Sequence, residues 1–143
     1  MSFKNFIYTY KIDCKYIHIL NYITPIIHSA KMYTEIFNAT YHIHVGKNQK
    51  ENDTLVRTSP QNALWFHLRD FPSSHAVVTN IIKPGIYDST VVMRAATLVK
   101  ASAKDGVNNL QKVSVNYLPI KNVKRTDVPG QVIMTKSPKT IQV

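Results

Sequence analysis

The sequence predicts an α+β domain in which a mostly antiparallel sheet carries one main helix, at about residues 88–104. Two observations lead to this fold class. Short segments rich in β-branched residues, with alternating polar and apolar side chains, lie on both sides of one longer segment. The longer segment has apolar residues at helical spacing. Strands, one central helix and then further strands are typical of α+β architecture rather than of repeated parallel units.

Three strands are predicted before the helix. Residues 41–45 alternate between polar and apolar side chains and end at a glycine. Residues 64–68 form a short apolar run, and residues 75–79 are rich in β-branched side chains. A Phe-Pro-Ser-Ser turn at 71–74 separates these two segments, which predicts an antiparallel pair.

Two further features of this region are predicted, the conformation of the segment after the first strand and the directions of two aromatic side chains. The polar segment 47–53 is predicted as a loop that could begin a turn or a short helix. Trp65 lies inside an apolar strand, so we expect a core position rather than a stacking platform for bases. Phe66 follows it directly and is expected to point to the opposite face of the sheet.

The main helix is predicted from the spacing of five apolar residues, Val91, Val92, Ala95, Leu98 and Val99. Asp88 or Ser89 is expected to cap its beginning, and Gly106 lies just beyond its end. Alternating residues after the helix predict three further strands, at 113–117, 131–135 and 140–143.

Residues 1–31 differ in composition from the rest of the chain. They are dense in Tyr, Ile, Asn and Lys, show no sustained period, and contain the only cysteine, Cys14. Either they are an extension before a domain that begins near Met32, or they form an N-terminal element packed on the sheet. No run reaches the roughly 20 apolar residues of a membrane-spanning helix. A lone cysteine excludes an intrachain disulfide and fits a reducing compartment, so we expect a cytoplasmic protein.

The charge of the chain points to polyanionic partners. The sequence has 18 Lys and Arg against 8 Asp and Glu, a formal net charge of +10. Residues 100–143 contain eight basic and two acidic side chains, so this part alone carries a net +6. RNA, DNA and an anionic membrane surface are the natural partners of such a surface.

Four histidines raise the possibility of metal binding or catalysis. His42 and His44 share one face of a predicted strand, but no carboxylate lies at ligand spacing, so we expect neither a metal nor another cofactor. His67 and His75 could form an acid–base pair acting on an RNA phosphodiester. Nothing in the sequence indicates that these imidazoles converge, and neither a nucleophile elbow nor a P-loop is present.

Binding without catalysis requires fewer specifically placed residues than an enzyme active site does. The turn amide of Gly46, the cation of Lys47 and the side-chain amides of Asn48 and Asn52 can bind a phosphate or a base edge without any reaction. The sequence therefore favours a binding module over an enzyme.

Several short motifs occur in the order and with the spacing of one known family. They are Val-Gly-Lys-Asn at 45–48, Glu-Asn-Asp at 51–53 with a leucine two residues later, Trp-Phe-His at 65–67 and Pro-Ser-Ser-His-Ala-Val-Val at 72–78. After the helix come Val-Ser-Val-Asn-Tyr at 113–117, Val-Lys-Arg at 123–125, Pro-Gly-Gln-Val at 129–132 and Lys-Thr-Ile-Gln-Val at 139–143. Over about residues 33–143 the chain resembles the NFACT-R domain, the RNA-binding domain of the NEMF, RqcH and fibronectin-binding-protein-A group of ribosome quality-control factors.

Two departures from the family pattern have consequences. Ala63 stands where the family often has Asp, which removes a possible acid and weakens a catalytic interpretation. Ser73 stands where the larger members have Gly, a change that is tolerated if the turn does not need a positive φ.

The resemblance implies a stand-alone RNA-binding domain at 32–143, preceded by an extension at 1–31. Its expected ligand is structured RNA, either transfer RNA or ribosomal RNA, with the large ribosomal subunit as a docking site and no integral membrane association. The expected RNA-binding residues lie in the loop and on the adjoining strands: Gly46, Lys47, Asn48, Asn52, His67, Arg69 and His75. Phosphate contacts are expected from the basic C-terminal part: Lys100, Lys104, Lys121, Lys124, Arg125 and Lys136.

Overall fold

The computed structural model describes residues 32–143, so the predictions for residues 1–31 lie outside the described residues. Its strands are β1 (Tyr33–Phe37), β2 (Tyr41–Val45), β3 (Leu64–Leu68), β4 (Ala76–Asn80), β5 (Ser114–Pro119), β6 (Val123–Arg125), β7 (Val132–Met134) and β8 (Lys139–Gln142). Its helices are α1 (Gln49–Thr58) and α2 (Ser89–Ala101), with 3-10 turns at Val107–Asn109 and Ile120–Asn122.

The predicted α+β class is confirmed. Six strands form one antiparallel sheet in the order β1-β2-β4-β3-β5-β8, and β6 and β7 form a separate hairpin. The predicted pairing across the Pro/Ser turn is present, with Trp65 opposite Val77. Strand β3 also pairs with β5, which places Trp65 in the interior of the sheet opposite Leu118.

The two helices pack on opposite faces of this sheet, because alternate strand residues point to opposite sides. Phe66 belongs to the core formed with α2, which includes Val91. Trp65 belongs to the core formed with α1, which includes Leu55. Both aromatic side chains are buried, at 2% and 0% exposure for Trp65 and Phe66. The predicted core position of Trp65 and the predicted opposite direction of Phe66 are therefore confirmed.

Helix α2 begins as predicted but ends three residues earlier. The side chain of Asp88 accepts a 3.0 Å hydrogen bond from the Val91 amide, so Asp88 is the cap of the two candidates. At the other end the Ala103 amide bonds to the carbonyl of Lys100, a tighter spacing that closes the helix before Gly106.

Helix α1 is longer than the sequence indicated, since the polar segment 47–53 lies at the start of a ten-residue helix. Asn48 accepts a hydrogen bond from the Glu51 amide at 2.9 Å, and Glu51 accepts one from the Lys47 amide at 2.8 Å. These two hydrogen bonds cap the beginning of the helix. Further along the helix, Leu55 is buried in the core that includes Trp65. The Asn-x-x-Glu spacing is the signal that could have identified α1, because the segment has too few apolar residues for a clear hydrophobic period.

His75, just before β4, joins the loop that follows β2 to the core. Its carbonyl accepts from the Gly46 amide at 3.0 Å, and its amide donates to Asn52 Oδ1 at 3.1 Å. Its ring Nδ1 accepts from Trp65 Nε1 at 3.0 Å. Burial, followed by the nearby His67, lowers the pKa of His75 to about 3, so the imidazole is neutral at physiological pH.

The low pKa of His75 makes the stability of the fold depend on pH. The unfolded chain takes up a proton at His75 below about pH 6.5, and the folded chain does not until about pH 3. The stabilisation is therefore complete above pH 6.5 and declines as the pH falls toward 3. Between pH 7 and pH 5 we expect the free energy of unfolding to fall by about 2 kcal/mol from this group, measured by urea denaturation.

The variant His75→Gln tests whether this group is responsible. It removes the titrating ring, so it should lose less stability between pH 7 and pH 5 than the wild type does. Its stability at pH 7 should already be lower by roughly 1–3 kcal/mol, because the flexible amide neither fills the buried space of the ring nor holds an acceptor in place for the Trp65 indole. Equal pH dependence in the two proteins would contradict the assignment.

Gly46 is required by a close approach rather than by its backbone angles. A Cβ at this position would lie 2.2 Å from Asn52 Oδ1, which already accepts a hydrogen bond from the His75 amide. We expect Gly46→Ala to lower the free energy of unfolding by roughly 1–3 kcal/mol through overpacking. Gly106→Ala is the comparison, since nothing lies within 4 Å there and only its positive φ opposes a side chain. Gly46→Ala with wild-type stability would contradict the argument.

Candidate nucleic-acid interface

The loop between β2 and α1 lines one wall of a surface groove of about 440 Å³. The groove is defined here by Lys47, Asn48, Phe71, Ser73, Lys104 and Asp105. Its walls come from three elements that are far apart in sequence: the beginning of α1, the turn between β3 and β4, and the segment that follows α2. The structure thus brings three of the predicted loop residues, Lys47, Asn48 and Asn52, together with one of the predicted phosphate-binding lysines, Lys104.

Hydrogen bonds fix the turn that forms the second wall. Ser73 Oγ accepts from the Leu68 amide at 3.1 Å and donates to the Ser74 carbonyl at 3.0 Å. The Ser74 amide donates to Ser102 Oγ at 3.4 Å, which ties the turn to the end of α2. Ser73 does not have a positive φ, so the replacement of the family's Gly by Ser is tolerated, as expected.

Two predicted site residues have internal roles. Asn52 and His75 are buried, at 8% and 2% exposure, and bond to each other through the His75 amide. Gly46 provides the space for Asn52. These three residues position the loop, while Lys47 and Asn48 form its exposed part.

The hairpin of β6 and β7, together with the flanking lysines Lys121 and Lys136, is named here the basic hairpin. Arg125 on β6 makes a two-pronged ion pair with Asp53 of α1, at 3.1 and 2.9 Å. The Arg125 guanidinium lowers the pKa of Asp53, and Asp53 raises that of Arg125. The positive charge of Arg125 is therefore partly compensated within the protein.

The basic hairpin also contacts the first turn of α1. A Cβ at Gly130 would lie 3.1 Å from both Cα and the carbonyl oxygen of Gln49, a tight contact, and the φ of +80° at Gly130 also favours glycine. Gln49 lines the groove as well. The groove and the basic hairpin are therefore adjacent parts of one surface.

The predicted lysines are not equally placed for RNA. Lys121, Lys124 and Lys136 are exposed on the basic hairpin, whose ends are joined by a bond from the Thr135 amide to the Asn122 carbonyl. Lys100 is half-buried, and its ammonium faces the carbonyls of Gln111 and Val143 at 3.4 Å.

The structure brings His67 and His75 together, which the sequence did not reveal. Their ring centroids are 5.2 Å apart, and His67 stacks on Trp65 at 5.8 Å. Burial lowers the pKa of His67. Arg69 is exposed at the edge of the adjacent 290 Å³ pocket, and its guanidinium is paired with Asp70 at 3.1 Å. The site thus contains two imidazoles whose pKa values are lowered, and His75 is buried, at 2% exposure.

His42 and His44 share a sheet face as predicted, with ring centroids 6.1 Å apart. The side chain of Thr34 hydrogen-bonds His44 Nδ1 at 3.0 Å, and burial lowers the His44 pKa. Within residues 32–143, no three His, Cys, Asp or Glu side chains are grouped so as to hold a metal ion. In the same range, no helix has the length and apolar character needed to cross a membrane.

Sequence reasoning missed two residues of this surface. Phe71 was treated only as part of a turn, yet its side chain is 36% exposed and lines the groove. An aromatic residue in a polar turn is the signal that could have identified it. Asp53, which pairs with Arg125, carried no local signal because the two residues lie 72 positions apart.

Comparison with known proteins agrees with the motifs. The family model described as the NFACT protein RNA binding domain matches residues 31–136. Coiled-coil domain-containing protein 25 of Mus musculus is 32% identical over 95 residues, 65% of this chain and 45% of the relative. Rqc2 homolog RqcH of Bacillus subtilis is 35% identical over 86 residues, 58% of this chain and 14% of the relative.

A solved structure agrees with the fold. The C-terminal part of the fibronectin/fibrinogen-binding protein from Streptococcus suis superimposes with a TM-score of 0.69 and 27% identity, covering 79% of this chain and 45% of the other. The chain spans less than half the length of each of these relatives. The resemblance expected from the motifs is confirmed, and the chain belongs to the family of NFACT protein RNA-binding domains.

Proposed function

We propose that this chain binds structured RNA, either transfer RNA or ribosomal RNA, without catalysing a reaction. The observation that supports this most directly is the meeting of the groove and the basic hairpin at Gln49. In this arrangement, polar and aromatic groups lie on the same surface as several exposed lysines. Lysines bind and position a phosphate backbone, and the neighbouring polar and aromatic groups can contact the bases attached to it.

Within this proposal the exposed and buried residues have different roles. Phosphate contacts come from five exposed lysines, namely Lys47, Lys104, Lys121, Lys124 and Lys136. Gly46, Asn52 and His75 hold the loop in place from inside. Arg125 and Arg69 contribute less to phosphate binding than their charge indicates, because each forms an ion pair with an aspartate.

The biological setting proposed for this binding is ribosome quality control in the cytoplasm, with the large ribosomal subunit as the docking site. The similarity to Rqc2 homolog RqcH supports it, although the shared region is only 14% of that protein. The cytoplasmic location rests on the single cysteine, Cys14, which lies outside the described residues.

Two alternatives make different predictions. The proximity of His67 and His75 favours an RNA-processing enzyme, but the buried His75 accepts from Trp65 and offers no exposed ring to a substrate. Incubating labelled transfer RNA with the protein, with and without a chelator, should leave the RNA intact. A general polyanion-binding protein would bind duplex DNA or anionic vesicles as tightly as RNA at physiological salt, whereas we expect RNA to be the strongest competitor.

The lysines of the surface are tested in pairs across a salt series with transfer RNA. Five phosphate contacts correspond to a slope of log K against log salt of roughly −3.5 to −4.5. We expect Lys47→Ala/Lys104→Ala and, separately, Lys121→Ala/Lys124→Ala to weaken binding and to flatten this slope by roughly 1.4–1.8 each.

The matched control is Lys83→Ala/Lys112→Ala, which removes the same charge from exposed lysines outside the proposed surface. It should change affinity and slope much less than the other two pairs. Equal losses of RNA affinity in all three double variants would show that only net charge matters and would contradict the proposed surface.

Release of Arg125 provides a test in the opposite direction. Asp53→Asn removes the carboxylate that compensates this arginine, so RNA affinity should rise and the salt slope should steepen by roughly 1. Asp127→Asn makes the same charge change in the turn between β6 and β7. The ion pairs given within residues 32–143 do not join Asp127 to an arginine, so this variant releases none and should have the smaller effect. Lower affinity for Asp53→Asn would mean that the ion pair itself shapes the surface that RNA contacts.

A further inference from the structure

The groove contains an exposed aromatic side chain among polar groups. Phe71 is 36% exposed, although a phenyl ring gains nothing from contact with water. It shares the groove with Lys47, Asn48 and Lys104. An aromatic face beside cations is the combination on which unpaired bases stack while their phosphates are held.

The turn that carries Phe71 is held at both ends. Ser73 fixes it to the amide of Leu68, and Ser74 fixes it to Ser102 at the end of α2. An aromatic ring presented by a fixed turn loses little conformational freedom when a ligand stacks on it. This rigidity makes Phe71 suited to recognition.

The size and mixed chemistry of the groove fit a whole nucleotide better than a phosphate alone. Its volume of about 440 Å³ lies within the roughly 300–1,000 Å³ of ordinary ligand pockets. Beside Lys104 stands the exposed carboxylate of Asp105. A carboxylate repels a phosphate but accepts hydrogen bonds from the amino groups of a base, while the lysines attract the phosphate.

We propose that this groove binds one unpaired nucleotide of the RNA, with its base stacked on Phe71 and its phosphate near Lys47 and Lys104. The inference rests on the proposed RNA binding and specifies its ligand: RNA with an unpaired, extruded nucleotide rather than a continuous duplex. Fully paired RNA keeps its bases stacked inside the helix and cannot supply one to the ring.

The test compares a blunt RNA duplex with the same duplex carrying one bulged nucleotide, by fluorescence anisotropy at physiological salt. The wild type should bind the bulged RNA more tightly. Phe71→Leu keeps apolar bulk but removes the aromatic face, so it should lose roughly tenfold on the bulged RNA and nothing on the blunt duplex. Phe71→Tyr should restore the preference, and Ile82→Ala, another exposed apolar residue, should leave both affinities unchanged.

A second readout follows the base directly. With 2-aminopurine at the bulge, stacking on Phe71 should change its fluorescence when the wild type binds and not when Phe71→Leu binds. If the wild type and Phe71→Leu bind the two RNAs with the same preference and the same fluorescence change, the nucleotide site is overturned while RNA binding stands. If the wild type binds neither RNA, the proposed function itself fails.

Discussion

The structure depends on the burial of His75. A polar ring and its backbone can leave water only if their hydrogen-bonding groups find partners inside the protein. Here the indole of Trp65 satisfies Nδ1 of the ring, the side chain of Asn52 satisfies the amide, and the amide of Gly46 satisfies the carbonyl. Four residues that are scattered through the motifs thereby become one cluster. Their identities follow from mutual satisfaction in the core, without any need for contact with RNA.

This buried cluster sets the position of the exposed surface above it. The loop held by Asn52 leads into the first turn of α1, where Gln49 separates the groove from the basic hairpin. Both sides of that boundary are themselves fixed, by the pairing of Arg125 with Asp53 on one side and by the serine turn on the other. These contacts fix the backbone segments from which the lysines and the aromatic ring project, so a ligand that bound there would need to order less of the chain.

The parts that were predicted correctly are those with a strong local signal. Alternating residues identified the strand at Tyr41–Val45, and apolar spacing with the Asp88 cap identified α2. Helix α1 was missed as a full helix because its stability comes from capping and from a few side chains packed on Trp65 rather than from a hydrophobic period. Of the residues that line the groove, Lys47 and Asn48 were predicted from the loop motif, whereas Phe71 was not, since an aromatic residue in a polar turn gives only a weak local signal of exposure.

The α+β class, the basic character of the C-terminal part and the family could all be predicted from the amino-acid sequence, because they follow from period, composition and motif spacing. Three features became visible only in the folded chain: the burial of His75, the compensation of Arg125 by Asp53, and the position of Phe71 in the same groove as Lys104. The physical reason is that burial, charge compensation and the sharing of a groove are contacts between residues distant in the chain. Such contacts are formed by the packing of the sheet and its two helices, and no local pattern contains them.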